Sequence, residues 1–170
     1  GIGRLREGRF LTWGKKEGLS SDVALPVLED AAGTVWIGTA GGGLNRLAGG
    51  RVTVFGPRDG LPHGVVLSLA RDPSGDLWIG TAGGGLTRYD GRRFVTLTTR
   101  DGLASDLVQS IVVTRDGSVW AGTNGGGISV LKGGRITAIR ARDGLASDGI
   151  VSLLQARDGA VWAGTTSGLS

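Results

Sequence analysis

The sequence predicts an all-β fold: a β-propeller of four four-stranded blades with a period of 42 residues. Three observations predict it. Trp36, Trp78, Trp120 and Trp162 are evenly spaced and open one repeated word, WIGTAGGGL, WIGTAGGGL, WAGTNGGGI and WAGTTSGL. A second word keeps the same spacing, KEGLSSD from Lys16, RDGLPHG from Arg58, RDGLASD from Arg100 and RDGLASD from Arg142. Between these words lie short β-rich runs bounded by turn residues, and no segment holds a helical period. Self-similarity at about 40 residues with four short strands per unit is the signature of propeller blades.

Residues 64–97 show the strands in order. Val65, Val66, Leu67 and Leu69 form an apolar first strand that stops at the turn cluster Asp72-Pro73-Ser74-Gly75. Leu77-Trp78-Ile79-Gly80-Thr81 is rich in β-formers and too short for a helix. Gly83-Gly84-Gly85 turns the chain into Leu86-Thr87-Arg88-Tyr89, which alternates apolar and polar residues. Asp90-Gly91 is a hairpin signal, and Phe94, Val95 and Leu97 make the fourth strand. The period places first strands at 23–29, 65–71, 107–113 and 149–155, and second strands beside the four tryptophans. Third strands fall at 2–5, 44–47, 86–89 and 128–131, fourth strands at 9–13, 51–55, 93–97 and 135–139.

Each second strand carries a Trp-x-Gly pair, Trp36/Gly38, Trp78/Gly80, Trp120/Gly122 and Trp162/Gly164, whose members share one face of the strand. The expectation is that each indole lies at a blade junction and fills the space its glycine leaves empty. Recurrence at one repeat position makes these tryptophans structural. Trp13 aligns instead with Phe55, Leu97 and Ile139, as an ordinary apolar residue of a fourth strand. The Gly-Gly-Gly loops lead into strands rather than helices, so they read as turns and not as phosphate cradles.

Composition bounds the function. Apolar residues are 39% and charged residues 20%, which excludes a disordered chain, and the 34 glycines follow the long repeat rather than a collagen triplet. With no cysteine there is neither a disulfide framework nor a thiolate metal site. No stretch reads as a signal peptide, no apolar run approaches the ~20 residues of a membrane span, and no partner nucleic acid is expected. The net charge of +4 comes from 19 basic residues scattered among 15 acids, not gathered on one face beside stacking aromatics. No cofactor and no metal are expected. The absence of methionine, even at position 1, suggests a piece of something longer.

These words together resemble the two-component regulator propeller family. The residues that carry the resemblance run from Gly64 to Leu103: the apolar first strand, Arg71-Asp72-Pro73-Ser74-Gly75-Asp76-Leu77, Trp78-Ile79-Gly80-Thr81, Gly85-Leu86-Thr87-Arg88-Tyr89-Asp90, Phe94 and Asp101-Gly102-Leu103. The resemblance extends through all four repeats. It implies a periplasmic or extracytoplasmic sensor region of a bacterial two-component signalling protein, non-enzymatic, taking a small molecule or glycan fragment as ligand. Such propellers usually close with more blades than four, and nothing here resembles a kinase or DNA-binding segment.

The repeat register divides the chain into third and fourth strands of a split blade at 1–21, blades 22–63, 64–105 and 106–147, and first and second strands of a split blade at 148–170. This phase allows a piece cut from a larger ring, a closed four-blade ring, or two half-rings joined head to tail. Self-association through complementary ends, or further blades of a longer chain, is therefore expected.

In the family the loops between fourth and first strands, and between second and third strands, rim one mouth of the channel. Here those loops carry Asp22, His63, Asp106, Asn124 and Asp148, with Ser21, Ser105 and Ser147 beside them. Asp22, Asp106 and Asp148 share one repeat position, so they are expected around the axis, either to bond sugar hydroxyls or a hard cation, or to cap their own loops. His63, the one histidine, breaks the Ser-Asp pattern of that position. An enzymatic alternative is a lyase related to the streptogramin lyases, whose second strand carries a Trp-Phe-Thr-Glu-like word in place of Trp-Ile-Gly-Thr; a third is a purely structural or engineered scaffold.

Overall fold

The computed structural model describes all residues, 1–170. A two-stranded sheet of β1 (Ile2–Arg6) and β2 (Arg9–Trp13) comes first. Three complete four-stranded sheets follow. They are β3 (Ala24–Glu29), β4 (Val35–Thr39), β5 (Leu44–Ala48) and β6 (Arg51–Phe55); β7 (Val66–Arg71), β8 (Leu77–Thr81), β9 (Leu86–Tyr89) and β10 (Phe94–Leu97); and β11 (Val108–Val113), β12 (Val119–Thr123), β13 (Gly127–Lys132) and β14 (Arg135–Ile139). A last sheet holds β15 (Ile150–Gln155), β16 (Val161–Thr165) and the two-residue β17 (Gly168–Leu169). Every pairing is antiparallel between consecutive strands. The fold is all-β and propeller-like. Its head and tail halves form separate sheets, so the array is open rather than a closed four-blade ring.

The first strands of neighbouring sheets, β3, β7, β11 and β15, lie against one another in turn and form the inner side of the arc. Each carries a bulge, for example between Val66 and Ser68, where the ladder slips by one residue. A bulge increases local twist, which suits strands that converge towards an axis.

Sheet packs on sheet through alternating faces. Trp78 and Leu86 of one sheet meet Leu103, Val108, Val119 and Ala121 of the next, while Ile79 and Leu77 face back towards Trp36, Leu44 and Leu61. A second strand buried on both faces in this way reads as an unbroken apolar run. Trp36 and Trp78 are each 6% exposed, whereas Trp162 on the last sheet is 46% exposed because no further sheet covers it.

Trp36, Trp78 and Trp120 pack among apolar side chains between neighbouring sheets, Trp162 has no following sheet to pack against, and none of the indoles fills the space left by the glycines. That space is taken by the first strand of the following sheet together with a side chain of the sheet's own first strand, Pro26 at Gly38, Ser68 at Gly80 and Ser110 at Gly122. A Cβ on Gly38 would lie 2.6 Å from Val66 Cγ1, on Gly80 2.8 Å from Val108 Cγ1, and on Gly122 2.5 Å from Ile150 Cγ2. Strand alternation identifies the shared face of Trp and Gly; only the approach of the neighbour says which atoms enter the gap. Trp13 packs with Leu19, Ile37 and Leu47, as a fourth-strand apolar residue does.

The second repeated word forms a one-turn 3-10 helix that periodicity alone does not reveal: Lys15–Glu17, Pro57–Asp59, Thr99–Asp101 and Ala141–Asp143. Its acid caps the turn, with Asp59 accepting the Gly56 N–H at 2.8 Å and Asp101 the Thr98 N–H at 2.8 Å. The next residue is a left-handed glycine, φ 101° at Gly60 and 104° at Gly102, a conformation that glycine adopts without steric cost. The leucine after it, Leu19, Leu61 or Leu103, is buried between sheets. Arg-Asp-Gly-Leu is thus a solvated cation, a cap, a turn and a plug.

Candidate functional site

The turns between first and second strands, and between third and fourth, all fall at one end of the sheets. The loops carrying Asp22, His63, Asp106, Asn124 and Asp148 fall at the other. This end is built by bonds between neighbouring sheets. The Asp106 carbonyl accepts the N–H groups of Gly83 and Gly85 at 3.2 and 2.8 Å, and the Asp148 carbonyl those of Gly125 and Gly127 at 3.1 and 2.9 Å. Gly64, at the same repeat position, accepts from Gly41 and Gly43 at 3.1 and 2.7 Å. Each glycine loop is closed from within by its threonine, with Thr81 Oγ1 donating to the Gly85 carbonyl at 3.2 Å and Thr123 Oγ1 to Gly127 at 2.7 Å. The mouth is therefore held by backbone, and its side chains are free to differ between repeats.

The three aspartates each point one oxygen at their own 3-10 turn. Asp22 Oδ1 accepts the Lys15 N–H at 2.8 Å, Asp106 Oδ1 the Thr99 N–H at 2.6 Å, and Asp148 Oδ1 the Ala141 N–H at 2.7 Å. Asp106 Oδ2 also takes the Thr99 hydroxyl at 3.2 Å. The remaining repeat has Pro57 where the others have Lys15, Thr99 and Ala141. Proline has no N–H to cap, and in that repeat the aspartate is replaced by Gly64. Carboxylate and donor disappear together. This signal was present in the sequence, at positions seven residues apart, but it has meaning only once the hydrogen bond is known.

His63 takes the role of its serine mates. Its Nδ1 accepts the Val65 N–H at 3.1 Å, as Ser21 Oγ accepts from Val23 at 3.1 Å and Ser105 Oγ from Leu107 at 3.3 Å. That bond leaves the proton on Nε2, the nitrogen on the far side of the ring. His63 also packs beside the loop of Gly84, where an added Cβ would lie 2.9 Å from His63 Cβ. Asn124 is exposed, bridges to Gly149 through its backbone and donates its N–H to the Leu107 carbonyl at 3.1 Å. Asn124 and Asp148 are thereby brought to one junction, whereas Asp22, His63 and Asp106 belong to separate loops. No three His, Asp or Glu side chains gather where they could hold a metal ion.

Two further aspartates act at the opposite end. Asp72 Oδ1 accepts the Asp76 N–H at 3.0 Å, while Oδ2 accepts the Trp78 indole N–H at 2.9 Å. Burial opposes ionisation of Asp72, but the Ser74 hydroxyl, the Trp78 N–H and backbone donors outweigh it, and its pKa lies below the ordinary aspartate value. Asp30 behaves alike: burial is overcome by the Trp36 indole, the N–H groups of Thr34 and Ala32, and the Arg71 guanidinium.

The comparisons with known proteins agree with this architecture. A family model described as the two-component regulator propeller matches residues 60–83, 102–125 and 144–167 in one register. Each match starts at the left-handed glycine and ends in the loop after the second strand. The equivalent stretch 18–41, where Pro26 replaces the serine of the first strand, is not matched. No curated protein sequence matches significantly.

Among solved structures, the extracellular domain of a hybrid two-component system from B. thetaiotaomicron is similar with a TM-score of 0.76 and 22% identity, covering 89% of this chain and 23% of that one. A second such domain from the same organism matches with a TM-score of 0.63 and 20% identity, over 99% of this chain and 29% of that one. A catalytically inactive virginiamycin B lyase from Staphylococcus aureus, solved with quinupristin, matches with a TM-score of 0.71 and 17% identity, over 96% and 59%. At these identities the likenesses show the fold alone, and the chain spans about a quarter of the length of those extracellular domains. Three of the repeats of this chain, residues 60–83, 102–125 and 144–167, are two-component regulator propeller repeats.

Proposed function

We propose that the chain is a non-enzymatic, ligand-sensing part of a propeller in a bacterial two-component signalling protein, working outside the cytoplasm. The ligand is a small molecule or glycan fragment held at the mouth that carries Asp22, His63, Asp106, Asn124 and Asp148. The observation that carries this reading is the set of three family-matched repeats in one register. The unpaired edges of the array are completed by further blades or by a second copy. No helix is long and apolar enough to cross a membrane.

A lyase reading draws support from the virginiamycin B lyase likeness. Against it, His63 Nδ1 is engaged by the Val65 N–H, and no side-chain hydrogen bond joins His63 to a carboxylate. Titration with a panel of glycan fragments tests the first reading, using Asp22→Asn, Asp106→Asn and Asp148→Asn combined. Asparagine keeps an oxygen for the 3-10 cap and removes the charge, so binding should weaken with little change in Tm. A fragment that binds the triple variant as tightly as wild type removes the carboxylates from the site. Mass spectrometry of quinupristin incubated with the chain should show it unchanged; an opened product would establish the lyase.

A further inference from the structure

We propose a second ligand site, a groove between the first two complete sheets on the end opposite the mouth, that binds the carboxylate of a monosaccharide-sized acid through Arg46. The groove has a volume of about 320 Å³, the size of a small-ligand pocket, and Asp30, Thr34, Trp36, Arg46, Arg71 and Tyr89 line it. Its chemistry is defined by comparison with the next junction. There Arg88 uses Nε and Nη2 to hold the Asp76 carboxylate. One repeat earlier, Arg46 stands at the position of Arg88 but Thr34 stands at that of Asp76. Arg46 consequently has no ion pair, and its guanidinium lies 5.9 Å from the centre of the Trp36 ring.

The acids of the groove do not fill that place. Asp30 is spent on Arg71 at 2.8 Å, on the Trp36 indole N–H at 3.1 Å and on the N–H groups of Ala32 and Thr34. Asp90 accepts the N–H groups of Arg92 and Arg93, both at 2.9 Å. The equivalent groove before the last sheet, about 230 Å³, has Val130 in place of the arginine, and its Lys132 is paired with Asp116 at 2.6 Å. Of these three junctions, one pairs its arginine with its own carboxylate, one has no free cation, and one presents an unpaired guanidinium beside an open cavity. A guanidinium fork matches a carboxylate through two parallel hydrogen bonds, so the ligand supplies from outside the group that Asp76 supplies from within.

Calorimetric titration of the whole chain with glucuronate, with glucose as the neutral counterpart of equal size, tests the site. Glucuronate should bind and glucose should not. Arg46→Ala should weaken glucuronate binding by about tenfold or more. Thr34→Asp should do the same by giving Arg46 the internal partner that Arg88 has, with Tm unchanged or raised. Arg88→Ala should leave binding as it is. Absence of glucuronate binding in the wild type, or full binding in either Arg46→Ala or Thr34→Asp, overturns the proposal. Because Asp22, Asp106 and Asp148 lie at the other end, the triple asparagine variant should still bind glucuronate, which separates this site from the mouth.

Discussion

A tryptophan residue in this chain is worth what its neighbouring sheet makes it worth. Burying 150–250 Å² of indole at about 25 cal/mol per Å² stabilises a junction by roughly 4–6 kcal/mol gross. Trp78, closed in by Leu103, Val108 and Val119 and bonded to Asp72, receives nearly all of this. Trp78→Ala should therefore cost about 3–5 kcal/mol in denaturant unfolding, and Trp162→Ala, half exposed, about 1 kcal/mol or less. Equal losses at the two positions would contradict the junction argument. The paired glycines follow the same rule with opposite sign. An alanine at Gly80 drives its methyl into Val108 of the next sheet, at 2.7 Å from a backbone oxygen, and should cost about 1–3 kcal/mol. Gly164→Ala meets only Ser152 of its own sheet and should be milder, by the same unfolding measurement. For Asp72 the sign follows from its depressed pKa. The ionised carboxylate stabilises the fold above the unfolded value near 3.9, and that contribution is lost as pH falls from there through the folded value. Thermal melts of Asp72→Asn should lie below wild type at pH 7, with the gap closing as the pH is taken below about 4; a gap that persists in acid would mean that the carboxylate's charge is not what matters.

The elements follow from two different kinds of signal, and only one is visible in a sequence read alone. Strand positions were legible to within a residue or two because a 42-residue period, two-residue alternation and glycine turns all point to the same boundaries. The 3-10 turns were not, since three residues hold no period; their cap, left-handed glycine and buried leucine stand out only as a repeated word. The mouth was legible as a set of loops, and its contents less so. Whether Asp106 faces a ligand or its own loop depends on where the Thr99 N–H points, and that is a matter of backbone geometry. Arg46 escaped notice for a related reason: the Asp76–Arg88 pair that defines its missing partner spans two strands, and only the register brings those positions together. The cap itself is testable at this scale. Removing the carboxylate with Asp106→Ala leaves the Thr99 N–H and hydroxyl without their partner and should cost about 1 kcal/mol, in the range of helix N-caps. Asp106→Asn should cost only a fraction of that in the same chemical denaturation. If both are equally damaging, charge rather than capping holds the loop.

At the scale of the whole molecule, the arc presents two unfinished edges whose contents match. Leu5 and Phe10 are 60% and 72% exposed on the β1–β2 hairpin, and they occupy the repeat positions of Tyr89 and Phe94, which pack around Trp36 and Phe55 at an interior junction. At the far end Trp162 and Leu169 are exposed on a sheet that has its first and second strands and only the start of a third. By the register of β4 on β5, where Gly38 faces Leu44 and Trp36 faces Arg46, β16 would accept β1 with Gly164 opposite Ile2 and Trp162 opposite Arg4, displacing β17. The composite sheet would turn Leu5 and Phe10 towards Trp120 and set Trp162 over Val35, Leu47 and Val52. Exposed apolar edges of this kind drive pairing between chains when nothing else covers them. As a free polypeptide the chain should therefore dimerise head to tail into a two-fold ring, visible as a doubled mass in light scattering after size exclusion. Phe10→Asp, which places a charge where the indole of Trp120 would pack, should return it to a monomer while leaving the three complete sheets folded. A wild-type chain that stays monodisperse and monomeric, with β1 amides exchanging as fast as a loop, would show that the two edges have no need of each other.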